Sequence, residues 1–243
     1  TTSQTLDSMT FLAPTSGTAA MTITGAGSLT VNGASNFEVG AGPGSVARAG
    51  IAESLSMANL GSFTYTNPTG TFRVGLKRGS GNTAIAGTSS IVLAQTNAIT
   101  AATIGLGDVN ANNNGGSAVL ELGQSNTFNV TTIAMSPGRS NSVMQFRAGL
   151  TNPTLVIRGL DGVSPATAWA AGGNTNFGTT KFVSSVDLSG GTTDAQVSTL
   201  TIAVASAAGT AGRGGTIQSS FTMGSGTLAA DSITVGRITG SLG

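Results

Sequence analysis

The sequence contains no cysteine and no histidine, and only 8% of its 243 residues are charged. Ordinary globular chains carry about 25%. Without thiolate or imidazole, structural zinc, haem and iron–sulfur centres lose their usual ligands. The same absence excludes Ser-His-Asp and Cys-His nucleophile systems within the chain. Ten Lys and Arg against nine Asp and Glu leave a net charge of +1, with the cations dispersed. Nucleic acid calls for clustered Lys and Arg to meet its phosphates, so no nucleic-acid partner is expected. No apolar run approaches the ~20 residues of a helical membrane span. Aromatic residues make up 5%, including a single Trp169 and a single Tyr65.

What is abundant is glycine, 37 of 243 residues, together with 39% apolar residues. That apolar share is enough to build a core and argues against disorder. Short alternating runs recur between small-residue turns. Examples are Met21-Thr22-Ile23-Thr24, Ser28-Leu29-Thr30-Val31, Ser90-Ile91-Val92-Leu93, Val119-Leu120-Glu121-Leu122, Leu155-Val156-Ile157-Arg158 and Ser232-Ile233-Thr234-Val235. Period-two alternation rich in β-branched residues predicts half-buried strands. The glycines and Asn-Gly steps supply the positive φ angles of tight corners. One segment, Ser45 to Leu60, reads instead as a short helix, with helix-formers around Arg48 and Glu53 and with Gly61 at a C-cap position.

The decisive feature is internal repetition. Leu93, Gln95, Asn97, Ile99 and Ile104 recur as Leu122, Gln124, Asn126, Phe128 and Ile133, each offset by 29 residues. A copy one residue shorter runs from Met223-Gly224 through Leu228 to Ile233-Thr234-Val235-Gly236. Met144-Gln145-Phe146 and Val186-Asp187-Leu188 fit the leading strand of more divergent copies. Strand–turn–strand units at this period predict a solenoid. In such a coil each turn stacks on the last at ~4.8 Å, so like residues sit over like. The positions Leu93, Leu122, Ile99, Phe128, Ile104 and Ile133 then form inward apolar columns. A narrow cross-section limits aromatics, and stacked like charges repel, so outward columns become Ser, Thr and Asn. The expected fold is therefore an all-β parallel β-helix of short strands with Gly- and Asn-rich turns. It spans 1–243 as one domain, with 1–20 as an extended N-terminal segment. The alternative is an antiparallel β-sandwich, since alternation alone leaves strand direction open.

The runs Leu93-Ala94-Gln95-Thr96-Asn97 and Leu122-Gly123-Gln124-Ser125-Asn126, each followed by an Ile-containing strand, resemble the repeats of bacterial autotransporter-associated β-strand proteins. Met144-Gln145-Phe146-Arg147-Ala148-Gly149 and Asn152-Pro153-Thr154-Leu155-Val156-Ile157-Arg158-Gly159 do so too. The likeness covers Ile91 to Gly159 and elsewhere is one of texture. It implies parallel β-helices in large secreted or surface-displayed chains with adhesive or structural roles. It implies no catalytic residues, and no translocator barrel is evident here.

Candidate sites are few. Asp108, Asn110 and Asn112 place oxygen ligands at the first, third and fifth positions of a loop, a spacing that suits Ca²⁺. Against it, glycine falls at position eight, Val119 stands where a bidentate acid belongs, and one formal charge is thin for a divalent cation. The plainer reading is a polar loop. Gln95 over Gln124 and Asn97 over Asn126 fit amide ladders better than a row of sugar-binding groups. Trp169, among the small residues Ala168, Ala170, Ala171, Gly172 and Gly173, fits buried packing better than capping a coil or ring stacking on a sugar. Lys77-Arg78, near Arg73, reads as a solvated turn. Hydrolysis of a polysaccharide needs two acids on one face. Asp7, Glu38, Glu53, Asp108, Glu121, Asp161, Asp187, Asp194 and Asp231 show no pairing that selects two of them.

The expectation is a non-enzymatic structural protein of a bacterial surface or extracellular matrix, secreted, without cofactor apart from the calcium candidate. It self-assembles end to end, because a solenoid's terminal strands expose unpaired edges. The chain's start at Thr1-Thr2-Ser3 fits a processed product or a piece of a longer one. The alternative is an adhesin or glycan-binding segment of a large surface protein. A phage-fibre piece, as a discrete trimer, is a third reading.

Overall fold

An alternating strand has an apolar and a polar face, and a short one buries its apolar face only against neighbours. The chain solves this by winding strands into a coil. A computed structural model describes it apart from residues 1, 13, 15, 42–48, 78–85, 108–113, 137–138, 175–181, 207–216, 237 and 240–243. Among the described residues there is no helix, and every strand pairing is parallel. The fold is a parallel β-solenoid, and the antiparallel sandwich is set aside.

The pairings fall into three series, one for each side of the coil. On the first side, Gln4–Leu6 pairs with Gly25–Val31, which pairs with the start of Leu60–Lys77. The series continues through Thr96–Leu106, Ser125–Met135 and Thr154–Arg158 into Phe182–Ser206 and Ile217–Val235. On the second, Met9–Leu12 is followed by Phe37–Ala41 and then by the later parts of the same long strands. Ala166–Asn174 joins that side higher up. On the third, Thr18–Thr22, Ala49–Ser56, Ala86–Val92, Asn114–Leu122 and Arg139–Phe146 lead into the first part of Phe182–Ser206. Residues 4–22 thus form the first round of the coil.

Columns of like residues follow from this register. One runs Leu6, Val31, Tyr65, Ile99, Phe128, Ile157, Ala195, Leu228. A second runs Met9, Phe37, Phe72, Ile104, Ile133, Trp169, Leu200, Ile233. The 29-residue copies are therefore stacked neighbours, and Leu93, Ile99, Ile104, Leu122, Phe128 and Ile133 are all fully buried. Aromatics gather on adjacent levels: Phe37 stacks on Phe72 at 4.8 Å and meets Phe63 at 5.3 Å. Tyr65 and Trp169 are buried among these columns.

The helix expected over Ser45 to Leu60 is not formed where the structure describes it. Ala49–Ser56 is a strand held between Thr18–Thr22 and Ala86–Val92. Ile51, Glu53 and Leu55 all point inward, a period of two that the helix-favouring Ala and Glu residues disguise. Parallel pairing on both edges outweighs a helix propensity of a few tenths of a kcal/mol per residue, roughly.

One corner of the coil repeats a left-handed residue. Gly40, Gly75, Gly107, Gly172 and Gly236 have positive φ, and so do Ser136 and Ala203 at the matching position of two further rounds. At some levels a Cβ would be crowded: one on Gly75 would lie 2.9 Å from the Gly107 Cα, whereas one on Gly236 would meet nothing within 4 Å. Across the corner runs a seam of small hydroxyls. Cβ atoms on Gly40 and Gly172 would lie 2.5 Å from Ser89 Oγ and 2.1 Å from Ser219 Oγ. Glycine at the corner and serine in the seam therefore fit each other.

Candidate functional site

Two kinds of feature stand out from the regular coil: polar groups turned inward, and apolar columns left open at the ends. Among the inward groups, Asn97 and Asn126 stack in register. Asn97 Nδ2 donates to Asn126 Oδ1 at 2.9 Å and to the Ala94 carbonyl at 2.8 Å. The Asn126 amide also clasps the turn before it, accepting from Gly123 N–H at 3.0 Å and donating to the Gly123 and Thr154 carbonyls at 2.9 Å each. The asparagine ladder expected from the repeat is present, two residues long. Gln95 and Gln124 do not continue it. Gln95 Nε2 donates to the Ala58 carbonyl at 2.7 Å and Gln124 Nε2 to the Thr151 carbonyl at 2.7 Å, on opposite sides along the axis. Outside the core, a glutamine amide finds backbone carbonyls at the corner before it finds its copy. Arg147 Nη1 donates to the same Ala58 carbonyl at 2.9 Å, bracing that corner along the coil.

The hydroxyl seam is the second inward group. Ser89 Oγ donates to Glu53 Oε2 at 2.8 Å, and Ser142 Oγ lies 2.6 Å from Ser136 Oγ and 3.1 Å from Ser184 Oγ. Small hydroxyls bonded to one another satisfy their polarity inside a narrow core.

The acids fall into separate surroundings. Glu38 Oε1 lies 3.6 Å from Arg73 Nε, with both side chains largely shielded, so Arg73 does not belong to a solvated turn. Arg78 lies outside the described residues. Asp194 Oδ2 accepts from Arg158 Nη2 at 2.6 Å. Asp161 accepts from the Ser164 hydroxyl and from the N–H groups of Val163 and Ser164, and these bonds hold its carboxyl down at about 2. Bonds from the Ser189 hydroxyl and N–H likewise lower Asp187. Glu121, Gln145 and Asp187 stand in one outward column, with Gln145 Nε2 donating to Glu121 Oε1 at 3.1 Å. Gln145 and Asp187 also edge an open cleft of about 310 Å³ with Arg147 and Phe146. The stacking inserts the Gln145 amide between the two carboxylates.

The calcium candidates Asp108, Asn110 and Asn112 lie outside the described residues. Among the described residues no three His, Cys, Asp or Glu side chains gather as a metal group. No described helix is long and apolar enough to cross a membrane.

The open ends complete the site. At the first round Leu6 is 40% exposed and Met21 41%. At the last, Ile233 is 58% exposed, although its column neighbours Leu200 and Trp169 are almost wholly buried, and Val235 is 66% exposed over a half-buried Ile202. Gln4–Leu6, Met9–Leu12 and Thr18–Thr22 each pair on one side only, as does the described length of Ile217–Val235. Sequence reasoning named the edges but not these residues. The signal was present, since each apolar column enters its first and last rounds with no loss of apolar character.

Outward hydroxyls are equally regular. Ser28, Ser62, Thr96, Ser125, Thr154, Thr192 and Ser225 form one continuous column on the first side. Compared with known proteins, the chain matches no family model, no curated protein and no solved structure.

Proposed function

We propose that this chain is a structural, non-enzymatic element of a bacterial surface or extracellular matrix, akin to autotransporter-associated β-strand repeats, that assembles end to end with copies of itself. The observation that carries this reading is the exposure of Leu6, Met21, Ile233 and Val235 at the two ends of otherwise buried columns. Free apolar edges of a parallel sheet invite a further strand. A contact between different ends is heterologous and repeats without closing, which builds a filament. Low charge supports the same reading, because stacked copies oppose few like charges. Absence of cysteine is compatible with an oxidising exterior.

Electron microscopy of the purified chain at neutral pH, with and without a chelator, tests this. Long uniform filaments in both samples support it. Filaments lost on chelation tie assembly to calcium at the loop containing Asp108, Asn110 and Asn112. Discrete particles at micromolar concentration overturn it.

A second reading, an adhesin or glycan-binding segment, draws on the outward hydroxyl column from Ser28 to Ser225, whose spacing suits an extended polysaccharide running along the coil. A monomer retained on one glycan class in an array favours it over the filament.

A further inference from the structure

We infer that the two ends of the solenoid are complementary in a single register, so that the first round of one copy adds as the next turn on the last round of another. This rests on the self-assembling reading and specifies its partner, a second copy of this chain, and its joint. The column register fixes what would meet. Extending each column by one step sets Leu6 on Leu228, Met9 on Ile233 and Met21 on Phe221, one apolar pair on each side of the coil. All six are exposed or half-buried here, whereas the residues they stack on within the chain are buried or become so one round in.

Direction agrees as well. Each internal pairing is parallel, and a head-to-tail joint keeps that direction, whereas head-to-head or tail-to-tail contact reverses it. Backbone groups at the joint would then find the partners that every inner round already has. Among the described residues, the charged side chains at the joint are Asp7 and Asp231, both exposed on the same corner. Their repulsion is screened by salt, so assembly strengthens as salt rises.

The absence of cysteine makes a clean test possible. Thr5 and Thr227 occupy the same outward column, beside Leu6 and Leu228. Stacking at ~4.8 Å brings their Cα atoms within the span of a disulfide. The double variant Thr5→Cys with Thr227→Cys, mildly oxidised at physiological salt, is expected to give a ladder of disulfide-linked oligomers on a non-reducing gel. The off-register pair Thr5→Cys with Thr222→Cys, on a different side of the coil, is expected to give none, and Thr5→Cys alone no dimer. Assembly of the unmodified chain, followed by sedimentation, separates the two levels. Filaments that form without the registered ladder, or with an equal ladder from the off-register pair, overturn the register and leave self-assembly standing. A chain that stays monomeric overturns both. In a second arm, Ile233→Lys with Val235→Lys, checked for unchanged strand content by circular dichroism, is expected to raise the concentration needed for assembly more than about tenfold. An unchanged threshold overturns the joint.

Discussion

Replacing Asn126 by alanine removes a buried side chain with four hydrogen bonds. Its amide serves the Gly123 N–H, the Gly123 and Thr154 carbonyls, and the Asn97 amide. Asn97 keeps its bond to the Ala94 carbonyl and the Thr154 carbonyl keeps its place in the parallel ladder, so the change strands the Gly123 N–H and the Gly123 carbonyl in a region where Asn126 itself is 1% exposed. Each stranded group costs about 1–3 kcal/mol, and because the smaller side chain leaves room for water, about 3 kcal/mol in total is expected. Asn97→Ala is a milder change. It strands only the Ala94 carbonyl and deletes Asn97 Oδ1, which has no hydrogen-bond partner, so about 1 kcal/mol is expected. Urea unfolding of both single variants and the double, followed by circular dichroism, measures the order and the coupling. Solenoids unfold round by round, so equal m-values are the check that one transition is being compared. The double variant is expected to cost less than the two singles added, by about 1 kcal/mol for the shared bond. If Asn97→Ala destabilises as much as Asn126→Ala, the clasp on Gly123 is not what holds this corner.

The remaining predictions concern the columns, the corner and one loop. Ile133→Asp places a charge in a fully buried column and is expected to destabilise by about 4 kcal/mol or more; an equally stable variant in thermal unfolding refutes the inward assignment. Ala203→Gly relieves a φ of +54°, and the strain removed, less the added chain entropy, is expected to stabilise by up to about 1 kcal/mol in urea titration. A loss of stability there means the corner is not strained. Asp161 titrates near 2, below its ordinary 3.8, so its hold on the turn to Ser164 is present above 3.8 and lost as pH falls through about 2. Carboxyl NMR titration measures this directly, and Asp161→Asn is expected to abolish the acid-dependent change in that turn.

Much of the coil was legible before any coordinates. The 29-residue offset placed Ile99 over Phe128 and Ile104 over Ile133, because a solenoid converts sequence period directly into spatial contact. Scarce charge and aromatics reflected the same narrow, stacked cross-section. Other features depended on which neighbour each element found. Ala49–Ser56 carries helix-favouring residues, and only pairing on both edges makes it a strand with Glu53 turned inward. The left-handed corner left a trace in Val39-Gly40, Val74-Gly75 and Leu106-Gly107, but Ser136 and Ala203 break it at the residue level. Their conformation is imposed by the rounds above and below. Gln95 and Gln124 share a repeat position with identical side chains, yet they reach in opposite directions, because local carbonyls compete with the ladder. Sequence period alone determined the columns and their apolar character. Tertiary structure decided where those columns stop being covered, because exposure depends on what lies one round further along and not on the residue itself.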